Sequence, residues 1–251
     1  MKKVKIFDAH LHIIDPRFPV TPNQGYLPAS FTALDYVKSV ENFEVTGGAI
    51  VSGSFQGFDQ SYLLDALDTL GSRFAGVTQL PADTPDEEIL RLHAKGVRAV
   101  RFNVMRGGSE TLRRLDHFAR RINDLAGWHA ELYIDSQDLG ELKHTISQLP
   151  AVSIDHLGLS KRGFPELLKL VDQGIKVKAT GFGRVDFEPA NAIRSIHKLN
   201  PEALLFGTDL PSTRAKRAFQ ASDVTLIQEA LGEQEAEKVL YRNALAWYGI
   251  E

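Results

Sequence analysis

The chain of 251 residues contains no cysteine. That absence excludes disulfides, thiolate metal ligands and a cysteine nucleophile, and a chain of this length can bury a large core without them. No stretch reaches the roughly 18 consecutive apolar residues of a membrane-spanning helix. The basic start, Met1–Lys5, is not followed by the apolar run of a secretory signal peptide. We therefore expect a cytoplasmic protein.

An excess of charge of one sign is also missing. The chain has 29 Lys and Arg against 32 Asp and Glu, and the two signs are mixed along it. Neither a basic tract typical of nucleic-acid binding nor an acidic tail is present. The expected partner is therefore a small molecule, with no nucleic acid and no membrane, and the protein is expected to be a monomer or a small homo-oligomer.

Short β-type runs alternate with longer amphipathic segments. The runs are Val4–His10, Gly48–Ser52, Phe74–Leu80, Val97–Asn103, His129–Ile134, Val152–Asp155, Lys176–Thr180 and Leu204–Thr208. The helical patterns include Thr32–Phe43, Pro85–Ala94, Glu110–Leu125, Leu139–Leu149, Glu166–Gln173, Ala190–Leu199, Ser222–Leu231 and Glu233–Tyr248. Eight alternating units in a chain of this length predict a (β/α)₈ TIM barrel, in a single domain over residues 1–251.

The alternative architecture is an open, doubly wound sheet, which binds ligands where the strand order reverses. Neither of the usual glycine-rich phosphate loops, GxGxxG or GxxxxGK[ST], follows any predicted strand, which weakens this alternative. The proline-rich segment Asp15–Ser30 is predicted to be a long loop after the first strand. In a barrel that loop would lie on the catalytic face.

Polar residues cluster at the ends of three predicted strands. Asp8, His10 and His12 alternate along the first strand and should share one face, where two imidazoles can converge on a metal or a substrate atom. His156 ends the sixth strand and Asp209 the eighth. Taken alone, each has a structural interpretation: His10 and His12 as a hydrogen-bonded pair, His156 as a core histidine, and Asp209 as a turn cap. Together they occupy the carboxyl ends of barrel strands, where barrel enzymes place their chemistry.

The remaining histidines are interpreted as structural or surface residues. They are His93, His117, His129, His144 and His197.

Three motifs in this order resemble the amidohydrolase superfamily, and together they span nearly the whole chain. They are HxH at His10 and His12, a histidine ending strand six, and the sequence GTD at Gly207–Asp209. Shorter phrases resemble the branch that contains 2-pyrone-4,6-dicarboxylate lactonase and related lactonases. These phrases are Gly96–Asn103, Gly127–His129, Ile154–Gly158 and Leu205–Asp209. The resemblance implies a hydrolase that opens the ester bond of a small carboxylated lactone.

The resemblance also bears on the metal. Metal-dependent members of the superfamily place a Lys or Glu on strand four and usually a His on strand five. Here strand four carries Arg101, and strand five carries Glu131 and Tyr133. This arrangement resembles the lactonase branch, and that resemblance implies an enzyme that works without a metal. A guanidinium repels a metal cation and suits an anionic substrate. We expect no obligatory metal. The alternative is one Zn²⁺ held by His10, His12, His156 and Asp209.

The resemblance assigns roles to the site residues. Asp209 would act as general base on water, although an ordinary aspartate pKa is low for that task. His156, with Tyr133, would polarise the lactone carbonyl and stabilise the oxyanion. His10 and His12 would orient the carbonyl or the water. The arginines expected to hold substrate carboxylates are Arg101, Arg106 and Arg184.

Two departures from the branch leave the exact substrate open. Leu159 stands where the branch has an arginine after strand six, and Lys161 would replace it only as a point charge. Arg214 and Arg217, after the GTD sequence, add cations that the pattern does not require. Two other functions also remain open. One is a zinc-dependent hydrolase or decarboxylase of the same superfamily, and the other is a non-catalytic protein that binds small anions.

Overall fold

The computed structural model describes residues 3–140 and 142–250, so Met1, Lys2, Glu141 and Glu251 lie outside the described residues. These include the first residues of the basic start and one residue of the predicted helix Leu139–Leu149. Within the described chain, eight parallel strands pair in chain order. They are β1 (Lys5–Leu11), β2 (Glu44–Val51), β3 (Phe74–Thr78), β4 (Val97–Asn103), β5 (His129–Tyr133), β6 (Val152–Ile154), β7 (Lys176–Ala179) and β8 (Leu204–Phe206). The predicted (β/α)₈ barrel is confirmed, and the open-sheet alternative is wrong.

Helices follow the strands, and most of them cover the outside of the barrel. They are α1 (Ala33–Ser39), α2 (Ser61–Leu70), α3 (Asp86–Ala94), α4 (Leu115–Ala126), α5 (Leu142–Ser147), α6 (Phe164–Asp172), α7 (Pro189–Leu199), α8 (Ala221–Leu231), α9 (Glu233–Glu237) and α10 (Asn243–Tyr248). In α4 the buried positions Leu115, Phe118, Ala119 and Ile122 form one helical stripe against the sheet. Helix α2 was not among the patterns that the sequence indicated.

Strands β6 and β8 end earlier than the sequence predicted, and the two site residues that were placed at their ends lie in the turns that follow. His156 has φ 50° and Asp209 has φ 61°. Non-glycine residues rarely adopt this left-handed region, and those that do are concentrated at functional sites. The turns therefore hold both side chains in conformations that a strand could not provide.

The seam between β1 and β8 is closed by the turn after β8. The Asp209 amide donates to the His10 carbonyl (2.7 Å), and the His12 amide donates to the Leu210 carbonyl (2.8 Å). A Cβ atom on Gly207 would lie 2.6 Å from the His10 nitrogen, so the two chains can approach this closely only at a glycine. The backbone bonds that complete the barrel thus also fix the distance between Asp209 and the two histidines.

One expectation about β1 is wrong. Asp8 was predicted to share a face with His10 and His12, but its carboxylate accepts from Tyr36 of α1 (3.2 Å) and from the Thr208 amide (2.8 Å). His10 instead contacts Glu131 of β5, Lys178 of β7 and Asp155, the residue after β6. The pairing of β1 with β2 shifts register between Asp8 and Leu11, and such a bulge breaks the strict alternation of side chains.

Helix α10 closes the amino-terminal end of the barrel. Tyr248 stacks on Phe7 with ring centroids 5.6 Å apart, and the Trp247 indole donates to His129 Nε2 (3.2 Å). His129 therefore has the structural role that the sequence indicated. The interior is reached from the carboxyl ends of the strands. Across the part of the chain that the structure describes, none of the helices is long and apolar enough to cross a membrane.

Candidate active site

The structure brings His10, His12 and Asp209 together at the top of the barrel. Asp209 Oδ1 lies 3.7 Å from His12 Nε2 and 3.9 Å from His10 Nε2. The other carboxylate oxygen, Oδ2, accepts from Arg184 Nε (2.7 Å). Among the described residues, Asp209 Oδ1 and His10 Nε2 are buried without a hydrogen-bond partner. A buried acceptor without a partner is costly, so this is where a water molecule or a ligand would bind.

His156 lies beside this group and is packed from two sides. Its ring is 4.9 Å from that of His10 and 5.0 Å from that of Tyr133, in edge-on contacts. Gly181, after β7, fits against it so closely that a Cβ atom would lie 2.6 Å from His156 Nδ1. The structure therefore brings four of the predicted catalytic side chains, with Tyr133, into one cluster.

A buried charge cluster lies below these residues, inside the barrel. Arg101 donates from Nε (3.2 Å) and Nη2 (2.7 Å) to Asp155 Oδ2, and Lys178 donates to Glu131. His10 Nδ1 lies 3.5 Å from Glu131 Oε1, from Asp155 Oδ1 and from Lys178 Nζ. Two cations thus balance two carboxylates, and His10 links this cluster to Asp209.

The electrostatics of the lower cluster favour a neutral His10. Burial, followed by the charge of Lys178, lowers the pKa of His10 well below its ordinary value. Burial and then the charge of Asp155 raise the pKa of Glu131 above its ordinary value. Burial would raise the pKa of Asp155, but the charges of Arg101 and Lys178 outweigh it and lower that pKa. Asp155 therefore stays ionised to lower pH than Glu131 does.

The upper residues are tuned in opposite directions by burial and charge. Burial would raise the pKa of Asp209, but the neighbouring Arg184 and His156 outweigh burial, and the pKa lies well below its ordinary value. For His156, burial lowers the pKa to about 3. At neutral pH the site therefore contains a carboxylate at Asp209 and an uncharged imidazole at His156.

A pocket opens above the cluster. Its lining comprises His12, Gly53, Ser54, Phe55, Arg101, Asn103, Arg106, Tyr133, His156, Arg184, Thr213 and Arg214. All three predicted carboxylate-binding arginines are present, together with Arg214. They differ in how they are engaged: Arg101 is committed to Asp155 and to the Ser52 carbonyl (2.9 Å), and Arg184 to Asp209. Asp209 and His10 lie beneath the lining, with no exposed surface.

The donor atoms of His10, His12 and Asp209 lie within 4.8 Å of one another, and two imidazoles with a carboxylate are a donor set that suits zinc. The residues therefore fit a divalent cation. The predicted four-residue set does not form one group, because His156 belongs to a separate group with His10 and Asp155. Its ring is held against Gly181 and Tyr133 instead.

Lys178 is a site residue that the sequence analysis missed, and neither Glu131 nor Asp155 was given a role. Lys178 is fully buried in the middle of β7. A lysine in the middle of a parallel strand that is covered on both faces is a usable signal, because lysine is rarely buried without a partner. Its partner Glu131 lies two strands away, and the sequence offers no spacing that pairs them.

Comparisons with known proteins agree with this geometry. The family model described as amidohydrolase matches residues 7–250. A 2-pyrone-4,6-dicarboxylate hydrolase of Comamonas testosteroni is 31% identical over 66% of this chain, and the match spans 54% of that protein's length. A 4-sulfomuconolactone hydrolase of Hydrogenophaga intermedia is 26% identical over 97% of this chain and 88% of its own length.

A solved structure is similar over its full length. A candidate 2-pyrone-4,6-dicarboxylic acid hydrolase of Pseudomonas putida superimposes with a TM-score of 0.81 at 26% identity, covering 100% of this chain and 99% of the other.

Proposed function

We propose, from the premise that the chain belongs to the amidohydrolase family, that it hydrolyses the ester bond of a small lactone carrying anionic groups. The names of two relatives, a 2-pyrone-4,6-dicarboxylate hydrolase and a 4-sulfomuconolactone hydrolase, support that reaction class. The arginine-lined pocket supports an anionic substrate, because guanidinium groups bind carboxylates through paired hydrogen bonds.

One observation carries the catalytic part of the proposal: two hydrogen-bond acceptors face each other above the barrel. His12 Nδ1 donates to the Val51 carbonyl (2.7 Å), so the hydrogen of an uncharged ring is on Nδ1, and in that form Nε2 is an acceptor. It lies 3.7 Å from Asp209 Oδ1, which is also an acceptor. The two atoms cannot bond to each other, but a water about 2.8 Å from each would donate to both. That water would present its lone pairs to a bound lactone.

The reaction then proceeds by proton transfer to and from Asp209. Asp209 Oδ1 takes a proton from the water as the water oxygen adds to the lactone carbonyl carbon. The negative charge that develops on the carbonyl oxygen is stabilised by hydrogen bonds from His156 and Tyr133. The tetrahedral intermediate collapses by breaking the ring C–O bond, and the leaving oxygen takes the proton from Asp209. The product is an open-chain acid with a hydroxyl or keto group.

We further propose that no metal is obligatory. The guanidinium of Arg184 already donates to Asp209 at 2.7 Å, so a divalent cation at the same carboxylate would have to overcome its charge. A cation bound at His10, His12 and Asp209 would supply Lewis-acid polarisation and a more acidic water. The unpartnered His10 Nε2 favours this zinc-dependent alternative, which is the second candidate function.

The proposal is tested with 2-pyrone-4,6-dicarboxylate, whose ring opening is followed by the loss of its ultraviolet absorbance. Asp209→Asn keeps the shape of the side chain and removes the base, so we expect turnover to fall by at least about 10³-fold. Asp223→Asn, which removes a carboxylate paired with Arg217 outside the pocket, is the control and should keep its rate. Equal rates for wild type and Asp209→Asn would exclude Asp209 as the base, and binding without turnover would favour an anion-binding protein.

A further inference from the structure

The four arginines of the pocket differ in whether a carboxylate neutralises them. Arg101 pairs with Asp155 (2.7 Å) and Arg184 with Asp209 (2.7 Å), so the inner charges are compensated within the protein. Within the described chain, Arg106 and Arg214 form no ion pair with any carboxylate. Each is half-buried and lines the same pocket. The positive charge available to a ligand is therefore concentrated on this outer pair.

Neutral groups hold the outer pair in place. The Asn23 side chain donates from Nδ2 to the Arg106 carbonyl (3.1 Å) and accepts from Arg214 Nη1 (3.2 Å). Gln24 Oε1 accepts from Arg106 Nη1 (3.3 Å), and the Asn23 carbonyl accepts from Arg214 Nη2. Amides orient a guanidinium without cancelling its charge. Both arginines are thus fixed by the proline-rich loop after β1.

Tyr26 and the backbone add to the positioning of Arg214. The guanidinium carbon lies 4.4 Å from the centre of the Tyr26 ring, a cation–π contact. Arg214 also has φ 59°, a conformation that a non-glycine residue adopts at a cost. Partial burial, and then the charge of Arg106, lower the pKa of Arg214 from its ordinary value. Arg106 and Arg214 therefore place two like charges on one side of the pocket, with no carboxylate paired to either among the described residues, and a bound anion would compensate them.

We infer that Arg106 and Arg214, held by the Asn23–Tyr26 loop, form a subsite for an anionic group on the part of the substrate that projects away from the reacting ester. Arg214 is then a specificity-determining residue of this chain. The inference rests on the proposed function for the identity of the substrate, but the subsite itself requires only that an anion binds. Carboxylates and sulfonates both present the oxygens that a guanidinium recognises.

Binding of two stable anions separates the subsite from catalysis. Isothermal titration calorimetry with isophthalate and with 3-sulfobenzoate needs no turnover, and comparing them distinguishes carboxylate from sulfonate. Arg214→Gln keeps the left-handed backbone and much of the side-chain length, and we expect Kd for isophthalate to rise by roughly 10- to 100-fold. Tyr26→Ala keeps the charge but removes the stacking contact, and should give a smaller rise.

Arg217→Gln is the matched control. Arg217 carries the same charge three residues further on, but it pairs with Asp223 (2.8 Å) and is not part of the lining. We expect its Kd values to equal those of the wild type. Equal weakening by Arg214→Gln and Arg217→Gln would overturn the inference, because only a general field of positive charge would then be at work. Unchanged binding in Arg214→Gln would also overturn the inference.

Kinetics on 2-pyrone-4,6-dicarboxylate give a second readout. Arg214 is not placed at the reacting atoms, so Arg214→Gln should raise KM and keep kcat. A fall in kcat with an unchanged KM would contradict the assignment. If the wild type binds both anions and Arg214→Gln weakens them, yet no lactone is opened, the proposed function fails while the subsite stands. If lactone is opened and Arg214→Gln binds the anions normally, the subsite inference fails while the proposed function stands.

Discussion

Asp209, the proposed general base, combines two properties that rarely occur together. It is fully buried, and its pKa is nevertheless held below the ordinary value by Arg184 and His156. A low pKa makes a weak base, but it keeps the carboxylate charged over a wide pH range. Arg184 also lines the pocket, so an anionic substrate that binds to it would reduce its hold on Asp209 and raise the basicity of that carboxylate at the moment of reaction.

We therefore predict that kcat/KM does not fall as the pH is lowered from neutral into the mildly acidic range, so that its acid limb is absent there. As the proposed base, Asp209 acts in its deprotonated form, and its lowered pKa keeps it deprotonated down to low pH. His156, with a pKa of about 3, stays neutral over the same range. In Arg184→Gln the pKa of Asp209 should rise, and the limb should move upward into the measurable range. Arg106→Gln, in the same pocket but not bonded to Asp209, should leave the limb in place. A wild-type limb near pH 7 would contradict this assignment of the limb to Asp209.

At the scale of elements, the turns that follow the strands carry the site. The sequence correctly indicated strands one, six and eight as the source of His10, His12, His156 and Asp209, because alternating strands and helices identify which ends meet. It did not indicate that β6 and β8 end early, since left-handed turns at non-glycine residues are set by tertiary contacts. It also missed the bulge in β1 that turns Asp8 toward α1.

Gly181, in the turn after β7, allows His156 to lie close to the backbone. Gly181→Ala should displace the imidazole and lower kcat by about 10- to 100-fold, because small misplacements of a catalytic group are costly. Gly174→Ala is the control, since it also has positive φ (95°) but nothing within 4 Å of the added methyl group. Both variants should lose about 1–2 kcal/mol of stability. Equal kcat values in the two variants would contradict a catalytic role for the position of His156.

At the scale of the whole molecule, the barrel interior contains charged side chains where many barrels are filled with apolar ones. Arg101, Glu131, Asp155 and Lys178 come from four consecutive strands or the turns after them, and His10 connects them to the site. The fold and its active face could be predicted from strand count and order. This cluster could not, because its pairs join residues that are far apart in sequence and meet only when the barrel closes.

Removing one partner of the buried pair should be costly. Lys178→Met leaves Glu131 without its partner in the interior, and we expect a loss of about 3–5 kcal/mol in the free energy of unfolding, measured by urea denaturation. The double variant Lys178→Met with Glu131→Gln, which removes both charges, should recover part of it. Lys169→Met, in an exposed pair with Glu166, is the control and should change stability by less than about 1 kcal/mol. Equal losses at the two lysines would mean that the interior pair is not desolvated in solution.

The central claim is that Asp209 and its neighbours open an anionic lactone without an obligatory metal. The most direct test is the initial rate of ring opening of 2-pyrone-4,6-dicarboxylate by chelator-treated protein whose metal content has been measured, before and after Zn²⁺ is added. The account predicts turnover by the metal-free protein at a rate that Zn²⁺ does not increase. No turnover until Zn²⁺ is added would contradict it and would assign His10, His12 and Asp209 to a metal instead.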